Sequence, residues 1–547
     1  TLSAVTSITQ TSGSITVGAS GTISLIATNG NIGSLLNPII IERTSGNWTS
    51  SNLTLKATNG SLFIKTASTG ALSALTAATP SITFLPTGTF SLEQTTGSIT
   101  LPATINFPNA TIKLTASATS ATIDLSSFNI TATSISLTAD TNLTTTTGIL
   151  TSGASGTISL TSTNGNIGSS SNPILITQNA ITGDLIATAT AGDIYLSSTS
   201  SSLTLGAITS ATAATNIILI SASATNADIN VNGGNISGGM ITITANRNIT
   251  NNNRTITVGS TGIISLTATN GSIGSATAPI SITCGTCSSW SATSLVLTNS
   301  SKATTGIFLT SSNVFDAAVI PSSFTLGTFL WIQSSGTLTL SAITKEDVDF
   351  IFVATSGAIS ISNSITANSI SLTAQSITTT SSNNKLTAPT ISLIASGSAD
   401  DIGSSANRVY ISSGTGEPDF TLVSVIVASG RSAFLRRDYR TTPTSSNNDP
   451  ALVDVENEVL LRKLTNRIYS YTVTVFHDGA TAFSATDDRQ FTVSNAAPTT
   501  PQASYTGISA ILVGVLDALF ALFGSPTCST VNPSDNFLTS LLRGLCP

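Results

Sequence analysis

Hydrophobic and polar residues alternate in short runs along most of the chain. The runs commonly follow a glycine, as in Gly13-Ser-Ile-Thr-Val17, Gly21-Thr-Ile-Ser-Leu25, Gly97-Ser-Ile-Thr-Leu101 and Gly156-Thr-Ile-Ser-Leu160. In each run Ile, Leu or Val takes alternate positions and Ser or Thr the positions between them, which is the period of a β-strand. Helical periodicity is missing from about the first 440 residues. The pattern therefore predicts many short strands, each with one apolar face.

One six-residue motif recurs at unequal distances. TNGNIG occupies 28–33 and 163–168, TNGSIG occupies 269–274, and a degenerate copy, DDIGSSANRVYI, occupies 400–411. In the first copy we expect Asn29-Gly30 to form a turn with a positive φ, Ile32 to point inward and Gly33 to allow a second tight bend. Pro38 then starts the next apolar strand. Because a duplicated domain would keep a constant period, the motif indicates a local corner-plus-strand unit followed by a variable number of plainer coils.

Sandwiches, barrels and β-solenoids are all built from such strands, and the repetition favours a solenoid. In a parallel coil, equivalent residues of successive turns lie about 4.8 Å apart, so aliphatic residues stack inside while Ser, Thr and Asn form ladders outside. Charges stacked at that distance would repel, and only 8% of the 547 residues are charged, against about 25% in typical chains. The expected fold class is all-β, a parallel β-helix (β-solenoid), followed by a small mixed α/β region and a C-terminal helical module.

Composition divides the chain, because charged residues become more frequent after about residue 400. Four regions are expected: a β-solenoid at 1–440, a helix plus β-hairpin region at 441–493, a Pro-containing tether at 494–507 and a disulfide-stapled helical module at 508–547. The Asp-Pro pair at 449–450 predicts the start of a helix over 451–465, and Asp-Gly at 478–479 predicts a hairpin turn. The apolar run 508–523 is shorter than the roughly 20 residues that span a bilayer, so no transmembrane span is expected.

The four cysteines occur as two local pairs. They are Cys284 with Cys287 and Cys528 with Cys546. We favour two local disulfides over a zinc site, because the second pair lacks CxxC spacing; pairing between the two regions stays open. Disulfides imply an oxidising compartment, so an extracellular or cell-surface location is expected.

Few residues suit catalysis or metal binding. His477, the only histidine, is expected to be a surface residue beside the predicted hairpin turn. Glu346, Asp347 and Asp349 could bind calcium, but they lack a full ligand pattern and are expected in a solvated loop. We therefore expect no enzyme and no catalytic, metal or cofactor site. The net charge of −6 and the lack of a basic face argue against nucleic acid as a partner.

Glycosylation sequons are numerous because the chain is rich in Ser and Thr. The glycosylation candidates are Asn47, Asn52, Asn109 and Asn142. Most sequons in such a sequence arise by chance, and any glycan depends on the machinery of the source.

Two of the motif copies resemble segments of a known family. GNIGSSSNPILI at 165–176 and DDIGSSANRVYI at 400–411 resemble the filamentous-haemagglutinin-type β-helical exoproteins of bacteria, over about the first 410 residues. The resemblance implies a β-helical architecture and a surface location. The NPNG-like motifs of that family's N-terminal secretion domain are not recognisable in this sequence.

Three classes of function fit these features: a structural filament subunit, an adhesin that binds a cell-surface glycan or receptor, and a polysaccharide-acting enzyme. The first coil, TLSAVTSITQTSGSITV, enters the strand pattern at once. Because an open coil exposes unpaired backbone groups and apolar side chains, we expect a neighbouring copy to cover it and form a head-to-tail homopolymer. The predicted contact residues are Leu2, Val5, Ile8, Ile508, Leu512, Leu516, Phe520 and Phe523.

Overall fold

The structure is a computed structural model with two compact units. It describes residues 1–439 apart from 77–79, 154, 180–182, 212, 214, 286, 288, 301, 398–400, 405, 413–421 and 428–431, together with two strands at 455–463 and 469–477. Unit 1 comprises Thr1–Ile273, Ile280–Cys287 and Ala292–Ser300, and unit 2 comprises Gly274–Pro279, Ser288–Ser291 and the residues from Ser301 onward.

The described part of unit 1 contains 26 strands and one short helix, α1, at Ala71–Thr76. The strands are β1 Leu2–Ala4, β2 Ile15–Val17, β3 Ile23–Ala27, β4 Ile39–Arg43, β5 Leu53–Ala57, β6 Leu62–Thr66, β7 Ile82–Phe84, β8 Thr89–Gln94, β9 Ile99–Thr100, β10 Ile105–Ala116, β11 Ile123–Asp124, β12 Ile130–Ala139, β13 Leu143–Thr144, β14 Ile149–Ser152, β15 Ile158–Ser162, β16 Ile174–Gln178, β17 Leu185–Ala189, β18 Ile194–Ser198, β19 Leu203–Ser210, β20 Ile217–Ala222, β21 Ile229–Val231, β22 Ile236–Ala245, β23 Ile249–Asn251, β24 Thr255–Ala268, β25 Ile280–Cys284 and β26 Leu295–Asn299.

The described strand pairings of unit 1 are parallel, and each strand pairs with strands of the neighbouring coils. The coil that contains β12 places Ile130, Ile135 and Leu143 on Leu150, Ile158 and Ile167 of the next coil. All six side chains are at most 1% exposed. Hydrogen bonds between these two coils join residues that are 20, 23 and 24 positions apart. Coil length therefore varies while the aliphatic stacks stay in register, which confirms the predicted parallel β-solenoid.

The four motif copies share one corner geometry. The isoleucine of each copy is fully buried and bridges to a neighbouring coil; these residues are Ile32, Ile167, Ile273 and Ile402. The glycine that follows has φ between +68° and +75° in Gly33, Gly168, Gly274 and Gly403. A Cβ added to Gly33 would lie 2.5 Å from the carbonyl oxygen of Phe63 in the next coil. The corner thus requires glycine for its backbone angle and for the close approach of the next coil.

Unit 2 contains a second set of strands and one turn of 3₁₀ helix at Ala317–Val319. Its strands are β27 Gly306–Ser311, β28 Gly327–Gln333, β29 Leu338–Leu340, β30 Ile343–Ala354, β31 Ile359–Ile361, β32 Ile365–Ala374, β33 Ile377–Thr379, β34 Lys385–Thr387, β35 Thr390–Ala395, β36 Val409–Ser412, β37 Leu422–Val427, β38 Ser432–Tyr439, β39 Val455–Lys463 and β40 Tyr469–His477. Pairings from β27 to β38 are parallel, for example Phe329 with Phe350.

The core of unit 2 is more aromatic than that of unit 1. Phe329, Trp331, Phe350 and Phe352 are fully buried. The rings of Phe350 and Phe352 lie 5.6 Å apart, and Phe315 packs 5.0 Å from Trp331 between ring centroids. These large side chains fill the coil interior where Ile and Leu do so in unit 1.

The parallel pattern ends at an antiparallel pair of strands. β39 pairs antiparallel with β38 and with β40. The helix predicted over 451–465 is therefore wrong for the described residues 455–463. Short apolar runs fit either structure, and here neighbouring strands supply partners for the extended form. The predicted turn at 478–479, the tether at 494–507 and the helical module at 508–547 lie outside the described residues.

Candidate functional site

Polar side chains join successive coils of unit 1 at their corners. The Oδ1 atom of Asn142 accepts from the backbone N–H of Asn166, Oδ1 of Asn166 accepts from the N–H of Asp193, and Oδ1 of Asp193 accepts from the N–H of Ile217, each at 2.8 Å. A second ladder runs from Ser202 through Asp228 and Asn248 to Ser272 at 2.9 Å per step. The predicted polar ladders are present, and they supply acceptors to backbone donors at the bends between strands.

One ion pair strengthens the second ladder. Nε of Arg247 donates to Oδ1 of Asp228 at 2.8 Å, and Nη2 donates to Oδ2 at 2.5 Å. Partial burial alone would raise the pKa of Asp228, but the hydrogen bonds from Arg247 and from the N–H of Asn248, with the arginine charge, outweigh burial and lower that pKa. Asp228 therefore carries its charge in a structural role between coils.

The predicted contact residues of the first coil occupy one strand edge and one corner. β1 pairs, among the described residues, with β3 on one side, and Leu2 lies in register with Leu25. Leu2 and Val5 are 50% and 71% exposed, whereas Leu25 is 1% exposed. Ile8 is half-buried and bridges to Ile32. The other predicted contact residues, Ile508, Leu512, Leu516, Phe520 and Phe523, lie outside the described residues.

The predicted local cysteine pair of unit 1 is a disulfide. Cys284, the last residue of β25, is bonded to Cys287 through their Sγ atoms. Cys284 is 3% exposed. Cys528 and Cys546 lie outside the described residues.

The acidic and histidine candidates lie on strands. Glu346 and Asp347 are exposed to solvent as predicted, but all three residues belong to β30 and not to a loop, at a shift of strand register between Lys345 and Asp349. Oδ1 of Asp349 accepts from Nδ2 of Asn368 at 2.7 Å and from Oγ of Ser369 at 2.6 Å. Asp349 thus joins two coils, and His477 is the last residue of β40.

The glycosylation candidates differ in their surroundings. Asn47 and Asn109 are exposed, and Asn52 and Asn142 are half-buried. Oδ1 of Asn47 accepts from Oγ1 of Thr69 at 2.6 Å, and Oδ1 of Asn52 accepts from the N–H of Thr49 at 2.8 Å. Modification of these residues stays a prediction.

Sequence reasoning missed an exposed apolar turn in the first motif copy. Each copy follows its positive-φ glycine with a four-residue turn, Ser34–Asn37 in the first. The N–H of Ser34 donates to the carbonyl of Asn37 at 3.0 Å, and the N–H of Asn37 donates to Oγ of Ser34 at 3.0 Å. Leu35 and Leu36 at its tip are 59% and 89% exposed. An alignment of the motif copies reveals this feature in the sequence, because Leu35 and Leu36 occupy positions where the second copy has two serines.

A second missed feature is an apolar patch on the outer face of unit 1, formed by Ile217, Leu219, Met240 and Ile263. Ile217 pairs in register with Met240, and Met240 with Ile263. All four side chains occupy outward, half-buried positions, where unit 1 mostly carries Ser, Thr or Asn. In the sequence, the patch is marked by apolar residues at both the inward and the outward positions of two strands, NIILISA and GMITITA.

A shallow pocket beside α1 offers hydrogen bonding without ionisable groups. It is lined by Asn47, Thr69, Gly70, Ala71, Leu72, Ser73, Gln94, Ser98, Ile99 and Thr100. These residues can donate to and accept from a polar ligand, and none of them has an ionisable side chain that could act as a general acid or base.

Comparison with known proteins adds no family. The chain matches no protein-family model, and neither a curated protein nor a solved structure is significantly similar to it. The β-helical architecture implied by the haemagglutinin resemblance is confirmed by the fold, and the family itself stays a prediction. Within the described ranges, no helix has both the length and the apolar character needed to cross a bilayer.

Proposed function

We propose that this chain is a non-enzymatic, structural subunit of an extracellular filament or surface fibre. Copies would join head to tail, with the first coil of one copy covered by the C-terminal region of the next. A contact between two different surfaces of the same chain does not close on itself, so it propagates into a fibre.

The outward edge of the first coil is the observation that carries this proposal. Coils of unit 1 associate through parallel strand pairs and aliphatic stacks, and no described residue pairs with β1 on the side that faces away from β3. Such an edge is a template for another strand. Leu2 and Val5 would lose their exposed apolar surface in that contact, at about 25 cal/mol per Å² buried.

Two further features support the location and the class. The Cys284–Cys287 disulfide is typical of proteins in oxidising compartments. The resemblance to filamentous-haemagglutinin-type exoproteins favours a bacterial surface protein. Low charge suits a stack of many coils, because it avoids like charges at the spacing of neighbouring strands.

Polymerisation of the purified chain tests the proposal. Negative-stain microscopy and sedimentation should show fibres for the unmodified chain. Leu2→Lys combined with Val5→Lys should abolish them, because each coil contact would then bury two unpaired charges. Leu326→Lys, at a leucine of unit 2 that is 38% exposed, is the control and should polymerise normally.

A deletion of 504–547 tests the partner surface. Loss of fibres with an unchanged circular dichroism spectrum would support the C-terminal region as the partner. Solitary particles from the unmodified chain would overturn the filament proposal, and fibres from the double lysine variant would reject the first-coil contact.

A further inference from the structure

We propose that the pocket beside α1 binds a single neutral sugar residue, and that the amide oxygen of Gln94 is the acceptor at its centre. All residues that line this pocket belong to unit 1 of one chain. The inference therefore goes beyond the proposed filament and does not depend on it.

Gln94 is a buried glutamine with only half of its amide engaged. Its side chain is 3% exposed, and Nε2 donates to the carbonyl oxygens of Thr96 and Ser98 at 3.0 and 2.8 Å. Among the residues that the structure describes, none donates a hydrogen bond to Oε1 of Gln94. In folded proteins such a buried acceptor is nearly always satisfied by protein, by water or by a ligand, because leaving it unsatisfied costs free energy.

Two other buried glutamines that end strands have both halves of the amide engaged. Oε1 of Gln178, at the end of β16, accepts from the N–H of Thr204 at 2.7 Å. Oε1 of Gln333, at the end of β28, accepts from the N–H of Phe315 at 3.2 Å. Gln94 ends β8 in the same way. It differs from both in lacking a described donor, and it lines a pocket.

An internal duplication makes Gln333 the direct counterpart of Gln94. GTFSLEQTTGSITL at 88–101 aligns without a gap with GTFLWIQSSGTLTL at 327–340. A tryptophan precedes each segment, and Nε1 of Trp48 and of Trp290 donates to the hydroxyl that ends β6 and β27, at 3.0 and 2.8 Å respectively. The two glutamines therefore occupy equivalent positions in units 1 and 2.

The two copies differ at the residue that could supply the missing donor. Phe315 lies four residues after the hydroxyl that ends β27, and Gly70 lies four residues after the one that ends β6. Gly70 has φ of +89°, and a Cβ added to it would lie 2.4 Å from the carbonyl oxygen of Trp48. Its N–H makes no described hydrogen bond to Gln94. Unit 1 thus leaves available to the pocket an acceptor that unit 2 satisfies within its own backbone.

The lining of the pocket favours a ligand rich in hydroxyl groups. None of the lining side chains is ionisable, so a charged ligand would lose its hydration without meeting an opposite charge. Hydroxyl groups both donate and accept, and amides offer one of each, as a sugar does around its ring. The polar lining residues are Asn47, Thr69, Ser73, Gln94, Ser98 and Thr100.

Charged residues near the pocket are engaged elsewhere. Asp124 lies in register with Thr100 on the next coil and outside the lining. Its carboxylate accepts from the N–H and Oγ of Ser126 and from Oγ1 of Thr144. Arg43 donates to backbone carbonyl groups. The negative charge of Asp124 disfavours an anion at this edge, which again leaves a neutral ligand.

Asn47 supplies a donor to complement the acceptor of Gln94. Oδ1 of Asn47 accepts from Oγ1 of Thr69 at 2.6 Å, and no described residue accepts from Nδ2. Neighbouring hydroxyl groups of one sugar ring can accept from Nδ2 and donate to Oε1. Leu72 and Ile99, which are 4% and 2% exposed, add apolar surface for the C–H groups of the ring.

The size of the pocket limits the ligand to one residue. The pocket encloses about 210 Å³, which is below the roughly 300 Å³ at which pockets for drug-sized ligands begin. It is about seven times the share of one water molecule in the liquid. A free monosaccharide and the last residue of a glycan offer the same chemistry at this size.

Ligand-observed NMR tests the site on the full chain, made in a host without N-glycosylation so that Asn47 stays unmodified. The probes are the methyl glycosides of glucose, galactose, mannose and N-acetylglucosamine. Saturation-transfer difference spectra should show binding of at least one, with a dissociation constant on the order of 1 mM. Gln94→Met should weaken that binding about tenfold, because it removes the acceptor. Gln333→Met removes the equivalent amide of unit 2 and should bind normally.

A second variant blocks the pocket and leaves the buried amide in place. Thr100 is an exposed lining residue, so Thr100→Trp should fill the pocket and abolish binding while the circular dichroism spectrum stays unchanged. Thr339 is exposed at the equivalent position of the duplicated segment, and Thr339→Trp should bind as the unmodified chain does. The Leu2→Lys, Val5→Lys variant should also bind normally, which separates this site from polymerisation.

The outcomes decide between a sugar site and a hydrated corner. Absence of binding by all four glycosides, or binding that Thr100→Trp leaves unchanged, would overturn the inference. A crystal soaked in the glycosides that shows only an ordered water at Oε1 of Gln94 would overturn it as well. Tighter binding of a disaccharide that ends in the preferred residue would assign the site to the end of a glycan chain, and equal binding would assign it to a free monosaccharide.

Discussion

Gly33 combines two constraints that can be separated by mutation. Its φ is +75°, and a Cβ would lie 2.5 Å from the carbonyl oxygen of Phe63. Gly13 has a similar φ of +78° with no atom within 4 Å of its added Cβ. We expect Gly13→Ala to lower the free energy of unfolding by about 1 kcal/mol, because alanine is strained at this backbone angle. Gly33→Ala should lower it by at least about twice as much, because the next coil must also shift.

Urea unfolding followed by circular dichroism measures both costs. The difference between the two variants isolates the close approach of coils from the backbone angle. Equal destabilisation would show that the corner relaxes without loss, and the tight approach would then have no part in stability.

Single residues also show where the sequence was insufficient. Asn29-Gly30 predicted the positive φ, but the positive φ belongs to Gly33. An added Cβ on Gly30 would lie 2.5 Å from Oγ of Ser7, so a side chain at this position would clash with the preceding coil. Both roles require glycine, and only the path of the neighbouring coil distinguishes them. The burial of Ile32 followed from alternation alone.

The corner between β21 and β23 predicts a pH dependence. The pKa of Asp228 is lowered in the folded chain, so the unfolded state binds more protons at acidic pH and the free energy of unfolding rises with pH. The stabilisation is complete above the unfolded value of about 3.9 and is lost as pH falls through the lower folded value. We expect the ionised Asp228 to contribute about 1 kcal/mol to the free energy of unfolding, because Arg247 is partly exposed and solvent screens the pair.

Comparison with Asp228→Asn isolates this corner from the other carboxyl groups. The stability difference between the two proteins should be present at pH 6 and shrink below about pH 4. A difference that stays constant over that range would show that Asp228 acts through its hydrogen-bond geometry and not through its charge.

Elements were predictable where alternation was long and repeated. β3 and β15 follow the Ile-x-Leu pattern read from the sequence. β39 was missed because VENEVLLRK has no clear alternation and its identity as a strand depends on pairing with β38 and β40. The outer patch was missed for a related reason, since alternation identifies the inner face but not what an apolar outer face contacts.

At the scale of the whole molecule, the solenoid was predictable because stacking is a local rule repeated many times. Each coil needs only an inward aliphatic set, mostly polar outward positions and tight corners, and most described coils of unit 1 have all three. The side-to-side and end-to-end contacts of a solenoid are not repeated in this way. Leu35 and Leu36 depart from the repeated pattern, and only the structure locates them on an exposed turn.

The unequal spacing of the motif makes a prediction about tolerance to insertions. Two glycines inserted between Ser170 and Ser171 lengthen an exposed turn and leave the register of the paired strands unchanged. The longer loop should lower the free energy of unfolding by only about 0.5 kcal/mol. One residue inserted between Ser159 and Leu160 would turn Leu160, which is fully buried, toward solvent. That variant should lose about 3 kcal/mol or more. Thermal unfolding of the two chains decides the matter: if the strand insertion is as mild as the turn insertion, then register is not what holds successive coils together.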